Sequence, residues 1–177
     1  MHRPDLNAEA AVYPAGYRFR RATWDDRAGL IAVLDPSFDD FGWNEERLKA
    51  ECLEHPRGLG CYLVEAQDGD IAAAVTALVS SDDPSEGYVH FLGVHPGHRG
   101  RRLGQLILID LFTVFQGAGL SSTILDTDDW RVPAIKSYVN LGFVPRIVEE
   151  GQDECWQKAL AFLDADVRER VLASTER

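Results

Sequence analysis

His90-Phe91-Leu92-Gly93-Val94-His95-Pro96-Gly97-His98-Arg99-Gly100-Arg101-Arg102-Leu103-Gly104, followed at once by the largely apolar run Gln105-Leu-Ile-Leu-Ile-Asp-Leu-Phe-Thr-Val-Phe115, is the stretch from which the rest of the chain can be read. An apolar strand, a turn rich in Gly, Arg and His, and an amphipathic helix follow one another without a gap. Leu103, Leu106, Ile107, Leu111 and Val114 recur at three-and-four spacing, which predicts a helix starting near Arg102 with one buried face. The turn ahead of it presents unpaired backbone N–H groups at the positive end of the helix dipole. Arg99, Arg101 and Arg102 add full charges, so the guest that suits it is a phosphate or pyrophosphate. A solvated surface turn would carry the same composition, and the turn by itself does not separate the two.

Working outward, Gly87 to Val94 reads as the strand that delivers the chain into this turn. Gly117 and Gly119 stop the helix, and Ser122 to Asp126 reads as a short buried strand. Strand, turn, helix and strand in this order make two neighbouring strands parallel. Upstream, Gly60 to Glu65 and Ile71 to Val79 read as a hairpin closed by Gln67-Asp68-Gly69-Asp70, with Ser80 to Ser85 as a polar loop. Tyr17 to Arg21 alternates as a first strand would. Thr23 or Asp25 can cap a helix through about Leu34, which Pro36 ends, and Asn44 to Glu54 reads as a second helix with Leu48, Cys52 and Leu53 inward. Residues 1–16, broken by Pro4, Pro14 and Gly16, read as a flexible arm.

Downstream, Pro133 opens a helix whose apolar set is Ala134, Ile135, Tyr138 and Val139, with Gly142 at its end, and Phe143 to Val148 reads as a final strand. Trp156, Leu160, Leu163 and Val167 at helical spacing predict a C-terminal helix from about Asp153 to Leu172, within an extension spanning 149–177. Its stripe is expected to cover the sheet or to meet a second subunit in a homodimer.

Two short segments gather aromatic rings and carboxylates. In Ser37 to Trp43, the rings of Phe38, Phe41 and Trp43 stand beside Asp39 and Asp40. Either the loop plugs the space between two helices, or Phe38, Asp40, Phe41 and Trp43 form a wall for a cationic acceptor. Asp126-Thr127-Asp128-Asp129-Trp130 is a similar mixture, readable as a helix-capping loop or as an acceptor wall to which Trp130 contributes.

A chain of 177 residues fills one domain, and its 45% hydrophobic and 27% charged fractions are ordinary for a soluble globular protein. A formal net charge of −11 and a pI near 4.8 argue against nucleic acid or an anionic membrane surface as partner. A cationic small molecule fits that charge, and so does plain solubility. Cys52, Cys61 and Cys155 lack any Cys-x-x-Cys spacing or companion histidines, so neither a disulfide framework nor a metal site is indicated. No apolar core of a signal peptide and no membrane-spanning run is visible, so a cytoplasmic protein with reduced thiols is the expectation.

The pattern Val94-x-Pro96-x-x-Arg99-Gly100-x-x-Leu103-Gly104 resembles the coenzyme A turn of the GNAT superfamily of N-acetyltransferases. The usual form there is Arg/Gln-x-x-Gly-x-Gly/Ala. Arg102 stands where the middle glycine is expected, so it either crowds the pyrophosphate or adds a guanidinium to it. Pro133-Ala134-Ile135-Lys136-Ser137-Tyr138-Val139-Asn140-Leu141-Gly142-Phe143 resembles the family's Ala-x-x-x-Tyr-x-x-x-Gly-Phe helix and corner. Two motifs in the right order imply a single-domain α/β GNAT fold over residues 17–148: a mixed central sheet flanked by helices, here with an extra C-terminal helix.

The resemblance also implies a reaction, acetyl transfer from acetyl-CoA to a primary amine, without a metal. Most of its rate can come from placing the amine against the thioester carbon. It further needs a donor for the developing oxyanion, a base for the attacking ammonium and an acid for the leaving thiolate. By the same resemblance, the backbone of Leu92, Gly93 and Val94 holds the pantetheine arm and polarises the carbonyl where the two parallel strands splay. Arg99, Gly100, Arg101, Arg102, Leu103, Gly104 and Gln105 take the pyrophosphate. Tyr138 occupies the position of the acid, and Arg131 stands where many members have an asparagine that contacts coenzyme A.

For the base, the candidates are His90, Asp126 and Glu86, or an ordered water chain ending at one of them. A small cationic metabolite is the expected acceptor. A protein or peptide N-terminus is the alternative, and a coenzyme A-binding sensor without turnover is a third reading that Arg102 keeps open.

Overall fold

Six strands form a single sheet in the computed structural model of this protein, which describes residues 1–38, 41–148 and 151–175. They are β1 (His2–Arg3), β2 (Tyr17–Arg21), β3 (Gly58–Ala66), β4 (Ile71–Val79), β5 (Glu86–Val94) and β6 (Ser122–Ile124), in the order β1-β6-β5-β4-β3-β2. Neighbours are antiparallel except β5 and β6, which run parallel across the connection through α3 (Leu103–Gly117). That is the pairing the strand–helix–strand order demands. The central strand β4 is buried along almost its whole length, because helices cover both faces of the sheet.

On one face, α3 buries Leu103, Ile107, Leu108, Leu111, Phe112 and Phe115 against Val75, Ala77 and Val89. On the other, α1 (Arg27–Leu34) and α2 (Glu45–Leu48) bring Leu30, Val33, Leu34 and Leu48 onto Leu63 and Ala74. Thr23 and Asp26 cap each other ahead of α1, and the Asn44 side chain accepts the Arg47 N–H at 2.9 Å to start α2. The helix expected through Glu54 changes pitch after Leu48, because Lys49–Leu53 form a π turn. α4 (Val132–Asn140) follows β6, with its proline in the first turn.

Three expectations are corrected. The start of the arm is docked: β1 pairs antiparallel with β6, and Met1 and Leu6 are buried. The expected final strand is absent among the described residues. β1 already occupies the edge of β6, so the segment after Phe143 meets the sheet by a single bridge from Val144 to His2. The C-terminal helix is broken into α5 (Gln152–Ala161) and α6 (Ala165–Thr175). The break lets Leu160, Leu163, Val167 and Val171 all reach the core shared with α3 and α4, where one straight helix would carry part of that stripe away.

Gly87 sits where β5 crosses under α3, and a Cβ there would come within 2.8 Å of the Phe115 ring. Gly117, at the end of α3, has open space around it. Gly87→Ala should therefore lower the unfolding free energy by about 1–3 kcal/mol, whereas Gly117→Ala should leave it unchanged or raise it slightly. Urea denaturation of both variants checks this, and equal stability of the two would refute the packing described.

Candidate active site

Side chains on a strand alternate between faces, and β5 breaks that rule at one point. Gly87 and Val89 face α3. After them, His90 and Phe91 turn successively to the other face, with ring centroids 4.0 Å apart. Beyond, Leu92 and Val94 return to the α3 face, and Gly93 looks at Val33 and Ser37. The cause is a β-bulge: Thr76 pairs with His90 and Ala74 with Gly93, so Val75 alone stands opposite Phe91 and Leu92. Phe91 adopts φ 46° to make it. The parallel ladder with β6 also ends here, its last pair being Tyr88 with Ile124. Past Tyr88 the backbone of β5 is no longer committed to β6, as the expected splay requires.

The turn after β5 is held by Pro96–His98 and by a 2.9 Å hydrogen bond between the Tyr17 hydroxyl and His98 Nδ1. Gly100 (φ 79°) and Arg102 (φ 59°) then take left-handed conformations. Alternation of this kind aims successive N–H groups into one concavity. The backbone N–H groups from Gly100 to Gly104 find no acceptor among the described residues. Arg101 donates to the Gly97 carbonyl at 2.9 Å and Arg99 to that of Val94 at 3.3 Å, while the Arg102 guanidinium has no partner among the described residues. The turn has the features of an anion nest at the start of a long helix.

A cavity of about 810 Å³ opens from this nest. Of the expected cofactor-binding residues, Leu92, Val94, Arg99, Gly100, Arg102, Leu103, Gly104 and Gln105 line it, together with Tyr138. His98, Lys136, Ser137 and Asn140 also line it, and sequence reading did not single them out. Gly93 and Arg101 lie outside this lining. So does Arg131, whose guanidinium is engaged elsewhere: it donates to Asp128 at 2.8 Å and to the Ser37 carbonyl at 3.0 Å, and it stacks on Trp130. In this structure Arg131 tethers the loop ahead of α4. Tyr138 is 8% exposed, and burial pushes its phenol up to about 12, with Arg131 opposing.

A second, larger cavity of about 1000 Å³ has Tyr88 and His90 of β5 and Ile135 of α4 in its wall, so the same strand and the same helix border both cavities. His90 and Asp126 line it, joined by Tyr88, Glu51, His55 and Arg57. The Tyr88 hydroxyl donates to Asp126 at 3.0 Å, and burial with that carboxylate pushes Tyr88 up to about 12, so it stays a donor. Burial lowers the pKa of His90, and Glu51 partly restores it. Glu86 is not part of this group. It is 3% exposed, held by Arg146 at 2.9 Å and His2 at 3.4 Å, and it lines neither cavity. In this structure it closes an ion pair from a buried position.

Of the expected acceptor wall, Trp130 lines the larger cavity and is 67% exposed. Phe38, Phe41 and Trp43 line neither cavity; they surround Phe91 with ring centroids 5.1, 4.9 and 4.7 Å away. For these three the plug is what the structure contains. Asp40 lies outside the described residues. No cluster of His, Cys, Asp and Glu among the described residues could hold a metal ion.

A mixed sheet that opens beside an anion nest, with helices on both faces, defines an acetyltransferase-type α/β domain. The chain belongs to the Acetyltransferase (GNAT) family, whose description matches residues 20–143. It is 28% identical over 132 residues to a mycothiol acetyltransferase of Nocardia farcinica, covering 70% of this chain and 44% of that protein. A mycothiol acetyltransferase of Frankia casuarinae is 30% identical over 149 residues, covering 74% and 42%. The chain thus spans less than half the length of these curated relatives. The crystal structure of glucosamine-6-phosphate N-acetyltransferase from Arabidopsis thaliana superposes with a TM-score of 0.60 at 17% identity, over 76% of this chain and 96% of that one. That likeness is one of fold.

A side chain in the left-handed region costs about 1–2 kcal/mol that glycine does not incur, less glycine's larger loss of freedom on folding. Arg102→Gly should therefore raise the unfolding free energy of the free protein by roughly 0.5–1 kcal/mol, read by urea denaturation. A destabilised variant would mean that the Arg102 side chain supports the turn instead of straining it.

Proposed function

We propose that the protein transfers an acetyl group from acetyl-CoA to the primary amine of a small cationic metabolite. The observation that carries this reading is the pair of cavities that β5 and α4 both border. One is fed by open backbone N–H groups and arginines, and the other is edged by Glu51, Asp82, Asp126, Asp128 and Asp129 with Trp130 and Trp156. Carboxylates and aromatic faces together suit a cation. Asp128 is neutralised by Arg131, and Arg146 by Glu86, so the excess of unpaired charge around the larger cavity is negative. The relatives' name, mycothiol acetyltransferase, supports a small-molecule acceptor over a protein chain.

Acetyl-CoA fits the smaller cavity: the N–H groups of Gly100 to Gly104 and the Arg102 guanidinium would hold its pyrophosphate, and a Cβ at Gly104 would already touch Val94 at 3.5 Å. It supplies the activated acyl thioester. The chain's own residues then supply position and protons. The bulged backbone at Phe91 and Leu92, freed from β6, can donate to a carbonyl oxygen on which negative charge develops. Tyr138, kept protonated by burial, can give its proton to a thiolate. His90, kept neutral by burial, can take one from the substrate ammonium.

A panel of primary amines with acetyl-CoA and free-thiol detection tests the reading. Coenzyme A should raise the melting temperature as its concentration rises, because it binds only the folded chain. Tyr138→Phe should lower turnover by roughly 10²-fold while leaving that thermal shift intact. Stabilisation without acetylation of any amine would make the domain a coenzyme A-binding sensor. A fully active Tyr138→Phe enzyme would end the acid assignment.

A further inference from the structure

On the reading just given, the acceptor amine must lose a proton beside the larger cavity, and what faces His90 there is the π turn Lys49–Leu53 and the chain after it. The turn closes with the Glu54 N–H donating to the Lys49 carbonyl at 2.7 Å, one residue further on than an α-helix would span. Such an inserted residue re-aims the side chains around it, and π turns recur at functional sites. Here Leu48 and Cys52 both remain in the core, while Glu51 between them is left at the cavity wall. Glu51 Oε2 lies 3.5 Å from His90 Nε2. That nitrogen is enclosed and has no hydrogen-bond partner among the described residues. The separation is long for an N–H···O bond and short for a charge, so a small rotation of either side chain completes the contact.

We propose that Glu51 is the positioning residue for His90: it keeps the ring proton on Nε2 and leaves Nδ1 free to accept a proton from the substrate ammonium. In that transfer the ammonium N–H bond breaks, and its electron pair stays on nitrogen as the nucleophile. The proton becomes Nδ1–H, and the imidazolium that results is balanced by the Glu51 carboxylate. Other groups face the same ring. His55, at the end of the turn, has its ring centroid 5.9 Å away, and Arg57 follows it. Tyr88, on the same strand, is 5.6 Å away with its hydroxyl committed to Asp126. Cys52, on the turn itself, is held as a neutral thiol by its contact with Cys61 and by burial. Burial lowers the pKa of His90 and Glu51 raises it, while His55 and Arg57 push it down. Glu51 is therefore the group that keeps an unprotonated ring basic enough to work.

Imidazole NMR titration of the full chain tests this without requiring turnover. Signals of His90 are assigned by their loss in His90→Asn. In Glu51→Gln the pH at which His90 titrates should fall by about one unit, and its ring should lose the preference for the Nε2–H form, read from 15N shifts. His95 and His98 serve as internal references and should stay in place. Glu51→Asp, which keeps a carboxylate, should retain part of the effect and covers the case of a Gln variant that fails to fold. With any amine the native protein acetylates, the acid limb of kcat/KM should move down in step. A His90 titration that Glu51→Gln leaves unmoved or shifts upward overturns the proposal. Absence of acetyl transfer by the native protein would instead overturn the function proposed above and leave the titration result standing.

Discussion

Packing of the Phe91 ring among Phe38, Phe41 and Trp43 holds a backbone conformation, φ 46°, that residues bearing a side chain rarely adopt. Strain of that kind costs of order 1–3 kcal/mol. Each aromatic pair contributes about 0.5–1.5 kcal/mol beyond the area it buries, so the three ring contacts are sufficient to hold it. The geometry of β5 follows from this one residue. The bulge sends His90 toward the larger cavity, returns Leu92 and Val94 to the smaller one, and lies where the strand has already left β6.

The same contacts reach the helix that borders both cavities. Arg131 precedes α4, places its guanidinium 5.0 Å from the Phe38 ring centroid and donates to the Ser37 carbonyl, so the aromatic plug and the start of α4 are fastened together. α4 carries Ile135 into the wall of the larger cavity and Tyr138 into that of the smaller. It is tied to α6 and the residue before it, through the Lys136–Asp164 ion pair and an Arg170 donation to Asn140 at 2.8 Å. The broken C-terminal helix is thus part of what fixes Tyr138 in position, although it lies beyond the segment that the family description covers.

Legibility in the sequence followed the range of the interactions involved. The strand, turn and helix around Arg102, the β3–β4 hairpin and the parallel pair are set by local periodicity and turn residues, and all were readable. The docking of His2 and Arg3 on β6 was not, because a two-residue strand has no period and its partner lies more than a hundred positions away. That unseen contact also removed the last expected strand. At the site, the turn residues carried their own signature, whereas Glu51, His55 and Arg57 did not. Glu51 and His55 stand four apart, as residues on one helix face do, but their turn toward His90 depends on a π turn that no residue pattern announced. Tyr88 was within reach of reasoning, since it lies two residues from His90 and strand alternation puts both on one face. The aromatic loop was read as either plug or wall, and only the position of Phe91 decided between them.

Amide hydrogen exchange, resolved by residue and recorded with and without coenzyme A, addresses the central claim that the turn from Gly100 to Gly104 is the cofactor's anchor. The N–H groups there lack acceptors in the free protein and should exchange quickly. Saturating coenzyme A should slow those amides strongly, together with Leu92 and Val94, and should leave the segment from Glu51 to Arg57 unchanged. Protection confined to the Glu51–Arg57 side, or none at the turn, would contradict the account.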